Sequence, residues 1–175
     1  MDSMHVEGGV VLNGEVSTGG AKNSALALIF AALLAKGKHR LSNVPHLRDI
    51  ASGSALLESL GCSVSHDGDI LTIDVPEQLN IKAEYDLVRK MRASILCLGP
   101  LLARMKEAEV SLPGGCAIGS RPINLHLEAM KKMGATMNIE NGYVFSKTKQ
   151  LMGAHIMFDC PTVGGTENAM MAASL

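Results

Sequence analysis

The amino-acid sequence predicts an α/β protein assembled from repeated units, each with a helix, a strand, a second helix and a two-stranded hairpin. Two observations support this prediction. Segments rich in Ala and Leu alternate with short segments of strand character, and glycines follow the helical segments. The same order of elements also returns after about 70 residues, and such self-similarity is typical of a repeated supersecondary unit.

The first unit begins with a helical segment at residues 21–36, which is rich in Ala and Leu and is followed by Gly37. Residues 38–43 are predicted to form a short strand. A second helix is indicated by apolar residues at helical spacing, which are Leu47, Ile50, Leu57 and Leu60. Gly61 follows that helix as a stop signal, as Gly37 follows the first.

The second unit repeats this order. Residues 86–104 are predicted to be its first helix, residues 109–112 its strand and residues 122–133 its second helix, which ends before Gly134. Turn pairs then predict a hairpin in each unit. These pairs are Asp67-Gly68, between strand segments 63–65 and 70–74, and Asn141-Gly142.

A third unit is predicted to start late in the chain and to stop inside its first helix. Residues 20–24 and 165–169 share Gly, Asn and a small residue at an offset of 145, about twice the repeat. The boundaries of the three units are about 20–80, 81–150 and 151–175. A chance resemblance between ordinary α/β segments is the alternative, because the matched features are common cap and turn chemistry.

The spacing of the repeat predicts an insertion. The offset grows from 68 residues at the first helix to 73 at the second, so five extra residues are expected within 112–122. That stretch is rich in glycine. A long glycine-rich loop in one copy of a repeat is a candidate functional loop.

Composition excludes several functions. The chain has 16 Lys and Arg against 17 Asp and Glu, which argues against a nucleic-acid partner. Aromatic residues make up 3% of the 175 residues, which disfavours base-stacking platforms. No signal peptide is evident, and the apolar run 25–35 is too short to span a bilayer, so no membrane partner is expected.

The four cysteines are Cys62, Cys97, Cys116 and Cys160, and none is paired in a C-x-x-C motif. This spacing predicts neither a zinc site nor a redox pair. A disulfide framework would be expected in a shorter, secreted chain. The sequence therefore predicts a cytoplasmic protein with free thiols.

Candidate chemistry lies in the glycine-rich loop. Cys116 precedes Arg121 and a predicted helix start at Pro122. A cation and a helix N-terminus both favour the thiolate and lower a thiol pKa, so Cys116 is a candidate general acid or nucleophile. The alternative is an inert cysteine on a turn.

Anion-binding groups are predicted at two helix starts. Lys22 and Asn23 follow a Gly-Gly pair, where free N–H groups and a lysine suit a phosphate or carboxylate, although a solvated lysine is the alternative. Arg92 stands at the edge of an apolar run and is a second candidate. Arg89 and Lys90 fit a solvated helix face, and His126 fits a structural role. Together these groups favour a transferase of phosphorylated or carboxylated substrates.

Four segments carry a resemblance to a known family along the whole chain. They are GAKNSAL at 20–26, KMRASI at 90–95, LPGGCAIGSRP at 112–122 and VGGTEN at 163–168. They closely resemble the UDP-N-acetylglucosamine 1-carboxyvinyltransferases, the enolpyruvyl transferases that open bacterial peptidoglycan synthesis and are targets of fosfomycin. The resemblance implies an inverse α/β barrel of two similar domains, and no metal or organic cofactor.

The implied reaction moves the enolpyruvyl group of phosphoenolpyruvate to the 3-hydroxyl of UDP-N-acetylglucosamine, with release of phosphate. By resemblance, Cys116 is the acid that protonates the enolpyruvyl methylene and the thiol that fosfomycin alkylates. Lys22 and Asn23 match the phosphoenolpyruvate-binding pair. The residues matching the nucleotide-sugar site are Arg92, Arg121, Pro122, Ile123, Asn124, Leu125, Cys160, Pro161, Thr162 and Val163.

Two positions depart from the family pattern. Asn124 stands where the family usually has Asp, and Cys160 stands where some members have Lys, so both sites lose a charge. The resemblance also implies a second domain that supplies an aspartate base and further arginines. Residues 1–19 would be a first strand packed on that domain, and residues 20–175 an incomplete first domain.

Three interpretations stay open at this point. The first is a fragment of the enolpyruvyl transferase with incomplete chemistry, which is expected to self-associate through exposed apolar surfaces although the full-length form would be monomeric. The second is the sister enzyme that makes enolpyruvylshikimate phosphate. The third is a non-catalytic nucleotide-sugar-binding module.

Overall fold

The computed structural model describes residues 3–112 and 123–175. The α-helices in these residues are α1 (Lys22–Ala31), α2 (Arg48–Ser59), α3 (Tyr85–Val88), α4 (Leu98–Met105), α5 (Asn124–Lys132) and α6 (Val163–Ala172). The strands are β1 (Gly37–Leu41), β2 (Ser63–Asp67), β3 (Ile70–Val75), β4 (Lys82–Ala83), β5 (Glu107–Ser111), β6 (Thr136–Glu140) and β7 (Tyr143–Lys147). Two 3₁₀ turns cover Ala32–Leu34 and Arg92–Cys97.

The two sheets confirm the repeated unit. The first sheet has the order β1-β3-β2 and the second has β4-β5-β7-β6. In each sheet, the strand that follows the first helical segment of the unit, β1 or β5, pairs with the second strand of the hairpin, β3 or β7. Every neighbouring pair is antiparallel except β4 and β5, which are parallel. The second sheet therefore repeats the topology of the first and adds one short edge strand.

Both hairpins close on two residues, as their turn pairs predict. The second turn contains Asn141 at φ 50° and Gly142 at φ 79°, the left-handed pair that matches the twist of an antiparallel hairpin. Asn tolerates this conformation because its short side chain bonds locally, and Gly has no Cβ to clash. The second turn lies where the sequence predicts it. The first turn has the predicted length but lies one residue later than predicted, at Gly68 and Asp69, because Asp67 pairs with Ile70 as the last residue of β2.

The strand register of the two sheets gives the length and the location of the insertion in the second unit. Lys38 pairs with Asp74, and Glu107 pairs with Lys147, its counterpart in the second sheet. The first strands are therefore offset by 69 residues, whereas the hairpins are offset by 73. Four residues are inserted between β5 and α5, one fewer than expected. They fall in the segment that contains the glycine-rich loop, most of which lies outside the described residues.

The long helix predicted at 86–104 is wrong in detail, because the chain breaks there into α3, a 3₁₀ turn and α4. Met91 adopts an extended conformation, with φ −148° and ψ 122°, and its side chain is buried. Pro100 lies in the first turn of α4, the part of a helix that tolerates a residue without an N–H. Burial of Met91 therefore overrides the helical spacing.

The core is aliphatic and joins the units. Its fully buried side chains are dominated by Leu and Ile, with Phe30 as the one aromatic among the largest of them in the described residues. Arg104 at the end of α4 donates to three backbone carbonyls of the first unit, with N–O distances of 2.8 Å to Leu33, 3.0 Å to Pro76 and 2.8 Å to Glu77. Both units thus share one packed interior.

Residues 3–20 form neither helix nor strand, and apolar side chains there are exposed, among them Val10, Val11 and Leu12. A strand needs a neighbour for its backbone N–H and C=O groups. Packing of residues 1–19 on a second domain stays a prediction. Within the described part of the chain, each helix is too short or too polar to cross a lipid bilayer.

Candidate functional site

Two adjoining cavities open beside the N-terminus of α6. The larger has a volume of about 570 Å³ and the smaller about 240 Å³, and Arg92, His126, Val163 and Gly164 line both. The larger is also lined by five other residues predicted from the sequence, namely Asn124, Leu125, Cys160, Pro161 and Thr162. The smaller is lined by Asn23. Residues from four distant segments thus meet at one cleft.

Other predicted residues lie elsewhere. Lys22 lies outside the lining of both cavities, and its Nζ forms an ion pair with Asp49 Oδ2 at 2.7 Å. Ile123 packs against the hydrophobic core. Cys116, Arg121 and Pro122 lie outside the described residues. Arg89 pairs with Asp86 at 3.2 Å on the surface, which agrees with the solvated face expected for it.

The N-terminus of α6 faces the larger cavity. Thr162 caps this helix, because its Oγ1 accepts a hydrogen bond from the Gly165 N–H at 3.1 Å. Val163 and Gly164 form the start of the helix, where N–H groups have no carbonyl one turn earlier to bond. Such a helix end attracts anions, and Arg92 adds a positive side chain to the same cavity wall.

The first part of α1 lines the smaller cavity through Asn23 and Leu26. Ala21 precedes this helix and offers no side-chain cap. Gly20 fits there because the chain passes close to the Asn43 carbonyl, and a Cβ at position 20 would lie 1.7 Å from that oxygen. The tight approach fixes the start of α1, and with it the position of Asn23.

A buried polar network lies behind the cavity wall. Asn168 is fully buried in α6, and its Oδ1 accepts a hydrogen bond from the Gly99 N–H at 2.8 Å. Asn168 Nδ2 lies 3.0 Å from the Ile95 carbonyl and 3.1 Å from His126 Nδ1. His126, for which the sequence favours a structural role, is 6% exposed and bonds an amide 42 residues away in the sequence.

The charges around the cleft are mixed. Burial lowers the pKa of His126 to about 4, and the positive charge of Arg92 adds to this effect. Glu167 lines the smaller cavity, where burial raises the pKa of its carboxyl group. Asp159 lines the larger cavity beside Cys160. Cys160 is exposed, and its thiol does not supply the positive charge that a lysine would bring to this position.

The buried thiols lie apart from this chemistry. Burial raises the pKa of Cys62 to about 11 and that of Cys97 to about 12, so both stay protonated near neutral pH. Both are free, as is Cys160. The cleft therefore takes its character from Arg92, helix N-termini and amide groups rather than from a described thiolate.

Sequence reasoning missed several residues of the cleft and its support. Apart from apolar residues of the smaller cavity, they are Asp159, Gly164, Glu167 and Asn168. The last two belong to the segment 165–169 that repeats residues 20–24. Since Asn23 is a predicted anion-binding residue, its counterpart Asn168 carries a usable signal. For Asp159, the sequence offers no such signal beyond its position next to the predicted site residue Cys160.

Comparison with known sequences gives close relatives that are much longer. The chain is 54% identical over 175 residues to UDP-N-acetylglucosamine 1-carboxyvinyltransferase of Nitratidesulfovibrio vulgaris (strain DSM 19637 / Miyazaki F) and 53% identical to that of Geobacter metallireducens. Each match covers all of this chain and 42% of the relative. The chain therefore spans less than half of the length of these relatives.

Solved structures give the same fold. The enolpyruvyl transferase NikO from Streptomyces tendae matches with a TM-score of 0.78 at 22% identity, covering 93% of this chain and 39% of that chain. EPSP synthase from Acinetobacter baumannii matches with a TM-score of 0.69 at 17% identity, covering 91% of this chain and 37% of that chain. A family model described as EPSP synthase (3-phosphoshikimate 1-carboxyvinyltransferase) matches residues 6–175. With nearly its whole length matched, the chain belongs to this enolpyruvyl transferase family.

Proposed function

We propose that this chain carries the nucleotide-sugar-binding part of a UDP-N-acetylglucosamine 1-carboxyvinyltransferase. That enzyme transfers the enolpyruvyl group of phosphoenolpyruvate to the 3-hydroxyl of UDP-N-acetylglucosamine and releases phosphate, in peptidoglycan synthesis. The observation that carries the proposal is the larger cavity, where Arg92 and Asn124 meet the segment 160–163. The 54% identity to enzymes of that name supports the choice of substrate.

The shape and charge of the larger cavity fit this ligand. A volume of about 570 Å³ lies within the range of roughly 300–1,000 Å³ common for small-molecule sites. The diphosphate of a nucleotide sugar is anionic, and Arg92 and the α6 N-terminus both favour an anion. Asn124 offers an amide that both donates and accepts, which suits the polar edge of a uracil ring.

The smaller cavity is our proposed place for phosphoenolpyruvate. Asn23 and Arg92 line it, and Lys22 stands one residue away at the start of α1. The Lys22 ammonium has three N–H donors, and the ion pair with Asp49 leaves others for a ligand oxygen. The half-buried Glu167 also lines this wall, and its carboxylate would oppose a dianion there. Partial burial raises the pKa of this carboxyl group.

The chemical step follows from the resemblance. The Cys116 thiol gives its proton to the methylene carbon of phosphoenolpyruvate, and the sugar 3-hydroxyl adds to the neighbouring carbon with loss of its own proton. The tetrahedral intermediate then loses phosphate and a proton. The aspartate base and further arginines are expected from a second domain. We therefore propose that the 175-residue chain binds substrate without turnover, and that the complete enzyme is a cytoplasmic monomer.

Calorimetric titration with UDP-N-acetylglucosamine tests the proposal. Binding is expected for the chain, with a loss of about 10-fold or more in affinity for Arg92→Ala, because a charge-assisted contact is removed. Arg89→Ala is the matched control, since Arg89 pairs with Asp86 on the surface and should leave affinity unchanged. No binding, or equal losses in both variants, would contradict the proposal, and turnover would contradict its binding-only part.

One observation favours a second candidate. The matching family model is named for 3-phosphoshikimate 1-carboxyvinyltransferase, which acts on a substrate without a uridine nucleotide. Titration with shikimate 3-phosphate separates the two, because the first candidate predicts binding of the uridine sugar alone. Nucleotide-sugar binding that persists without phosphoenolpyruvate affinity would instead favour a non-catalytic binding module.

A further inference from the structure

We propose that His126 contacts the ligand of this cleft: its neutral ring, oriented by Asn168, donates a hydrogen bond from Nε2 to an acceptor oxygen of the ligand beside Arg92. Asn168 is then a positioning residue, since it acts through the histidine. The inference rests on the proposed function, because it assumes a nucleotide sugar in the larger cavity. It adds a residue that the resemblance did not assign to that site.

The orientation of the Asn168 side chain is fixed by two backbone groups. The Gly99 N–H needs an acceptor and lies 2.8 Å from Oδ1, while the Ile95 carbonyl needs a donor and lies 3.0 Å from Nδ2. A flipped amide would set an NH₂ group against an N–H and an oxygen against a carbonyl. Asn168 therefore has one amide orientation, with its NH₂ group also directed at His126.

That orientation determines where the histidine carries its proton. The distance from Asn168 Nδ2 to His126 Nδ1 is 3.1 Å, and an amide N–H can donate only to a ring nitrogen that has no hydrogen. A neutral imidazole then carries its one proton on Nε2. Asn168 thus selects the tautomer in which Nε2 is a donor.

The Nε2 edge of the ring faces the cleft. His126 lines both cavities, and so does Gly164. A Cβ at position 164 would lie 3.4 Å from His126 Cε1 and 3.6 Å from Nε2, so the ring edge with Nε2 borders the start of α6. Nε2 therefore lies close to the helix start that, with Arg92, would attract a ligand oxygen into the cleft.

The surroundings keep the ring neutral. His126 is 6% exposed, and the Arg92 guanidinium on the neighbouring 3₁₀ turn opposes a second positive charge. The acidic groups on the cavity walls are Glu167 in α6 and Asp159 ahead of it, and neither outweighs burial, since the pKa of His126 is lowered. A neutral donor of this kind suits a phosphoryl or carbonyl oxygen.

Two isosteric variants separate the two ring nitrogens. In His126→Asn, the side-chain oxygen replaces Nδ1 and still accepts from Asn168, but no donor reaches the ligand. In His126→Gln, the longer amide places an NH₂ group near the position of Nε2 and loses the Nδ1 acceptor. We expect His126→Asn to bind UDP-N-acetylglucosamine about 10-fold more weakly than His126→Gln, and to melt at the higher temperature.

The tautomer is measured directly on the unmodified chain. Two-bond ¹H–¹⁵N correlation spectra of the histidine rings distinguish a protonated from a bare nitrogen, and His126→Gln assigns the signal. We expect a bare Nδ1 and a protonated Nε2 at pH 7. A protonated Nδ1 would overturn the inference and leave the proposed function intact.

The binding outcomes also keep the two proposals apart. If the chain binds UDP-N-acetylglucosamine and His126→Asn binds it equally well, the ligand contact is wrong while the proposed function stands. If the unmodified chain fails to bind this ligand, the proposed function fails, and the ligand contact fails with it. If His126→Asn binds UDP-N-acetylglucosamine more weakly than His126→Gln does, the result supports both the ligand contact and the proposed function.

Discussion

The two repeated units place different residues at the same position of their second helix, a glycine in an apolar contact and a histidine in a polar one. Gly53 in α2 and His126 in α5 are separated by 73 residues, the offset that also relates the two hairpins. A Cβ at Gly53 would meet the side chains of Leu26 at 3.5 Å and Met91 at 3.6 Å. At the matching place in the second unit, His126 bonds Asn168 and borders the cleft.

The difference lies in what each helix packs against. The partner of Gly53 is Met91, in extended backbone ahead of the 3₁₀ turn, whereas the partner of His126 is Asn168, inside α6. The first unit closes this contact with apolar side chains, and the second keeps it polar and opens it to two cavities. The same repeated unit therefore forms an apolar contact in one place and a polar contact beside the cavities in the other, and the pair His126 and Asn168 distinguishes the second.

The largest effect is expected from crowding the polar contact. Gly99→Ala would place a methyl group 2.4 Å from Asn168 Oδ1 and 2.6 Å from the Asn168 carbonyl oxygen. We expect a loss of about 3 kcal/mol in the free energy of unfolding, since α4 and α6 must move apart. Urea titration followed by circular dichroism measures it.

Gly53→Ala is the matched control in the apolar contact. Its nearest side-chain atoms lie at ordinary contact distances of 3.5–3.9 Å, and alanine favours a helix interior by about 1 kcal/mol over glycine. We expect no loss of stability there. Similar losses in Gly53→Ala and Gly99→Ala would mean that the two contacts do not differ in packing as described.

The second prediction concerns the loss of folding stability at acidic pH. The folded protein lowers the pKa of His126 from 6.5 to about 4, so the unfolded chain binds more protons between these values. Stability is then complete above about pH 6.5 and falls as the pH drops toward 4, by about 3 kcal/mol in all. Urea titrations across this range should show the slope in the unmodified chain and a shallower one in His126→Asn. An unchanged slope would exclude His126 as its source.

The smallest effect is expected at the ion pair of the first unit. Lys22 and Asp49 are 45% and 33% exposed, and solvent screens such pairs strongly. We expect Asp49→Asn to change the free energy of unfolding by less than about 1 kcal/mol. A larger loss in a urea titration would show that this pair, rather than the Gly20 contact, fixes the start of α1.

Local chemistry explains why much of the fold was predictable. The turn pair Asn141-Gly142, the helix-stop glycines Gly61 and Gly134, and the alternation of elements depend on neighbours in sequence, and all appear in the structure. The first turn appears one residue later than predicted. The break at Met91 was missed because burial against a distant helix decides it. The resemblance assigns site residues one by one, and their roles stay predictions, although Asn23, Arg92 and Asn124 do line the cleft. The link between His126 and Asn168 joins residues 42 apart, so no local pattern indicates it.

The three bonds of Arg104 have a consequence for how the chain unfolds. The guanidinium of the second unit supplies the partner for three carbonyls of the first, at Leu33, Pro76 and Glu77. Opening either unit alone would exchange these three partly exposed hydrogen bonds for bonds to water, at a net cost of about 0.5–1.5 kcal/mol for each. The repeats therefore resemble two halves of one foldon rather than independent modules, and protection against amide exchange should extend across both.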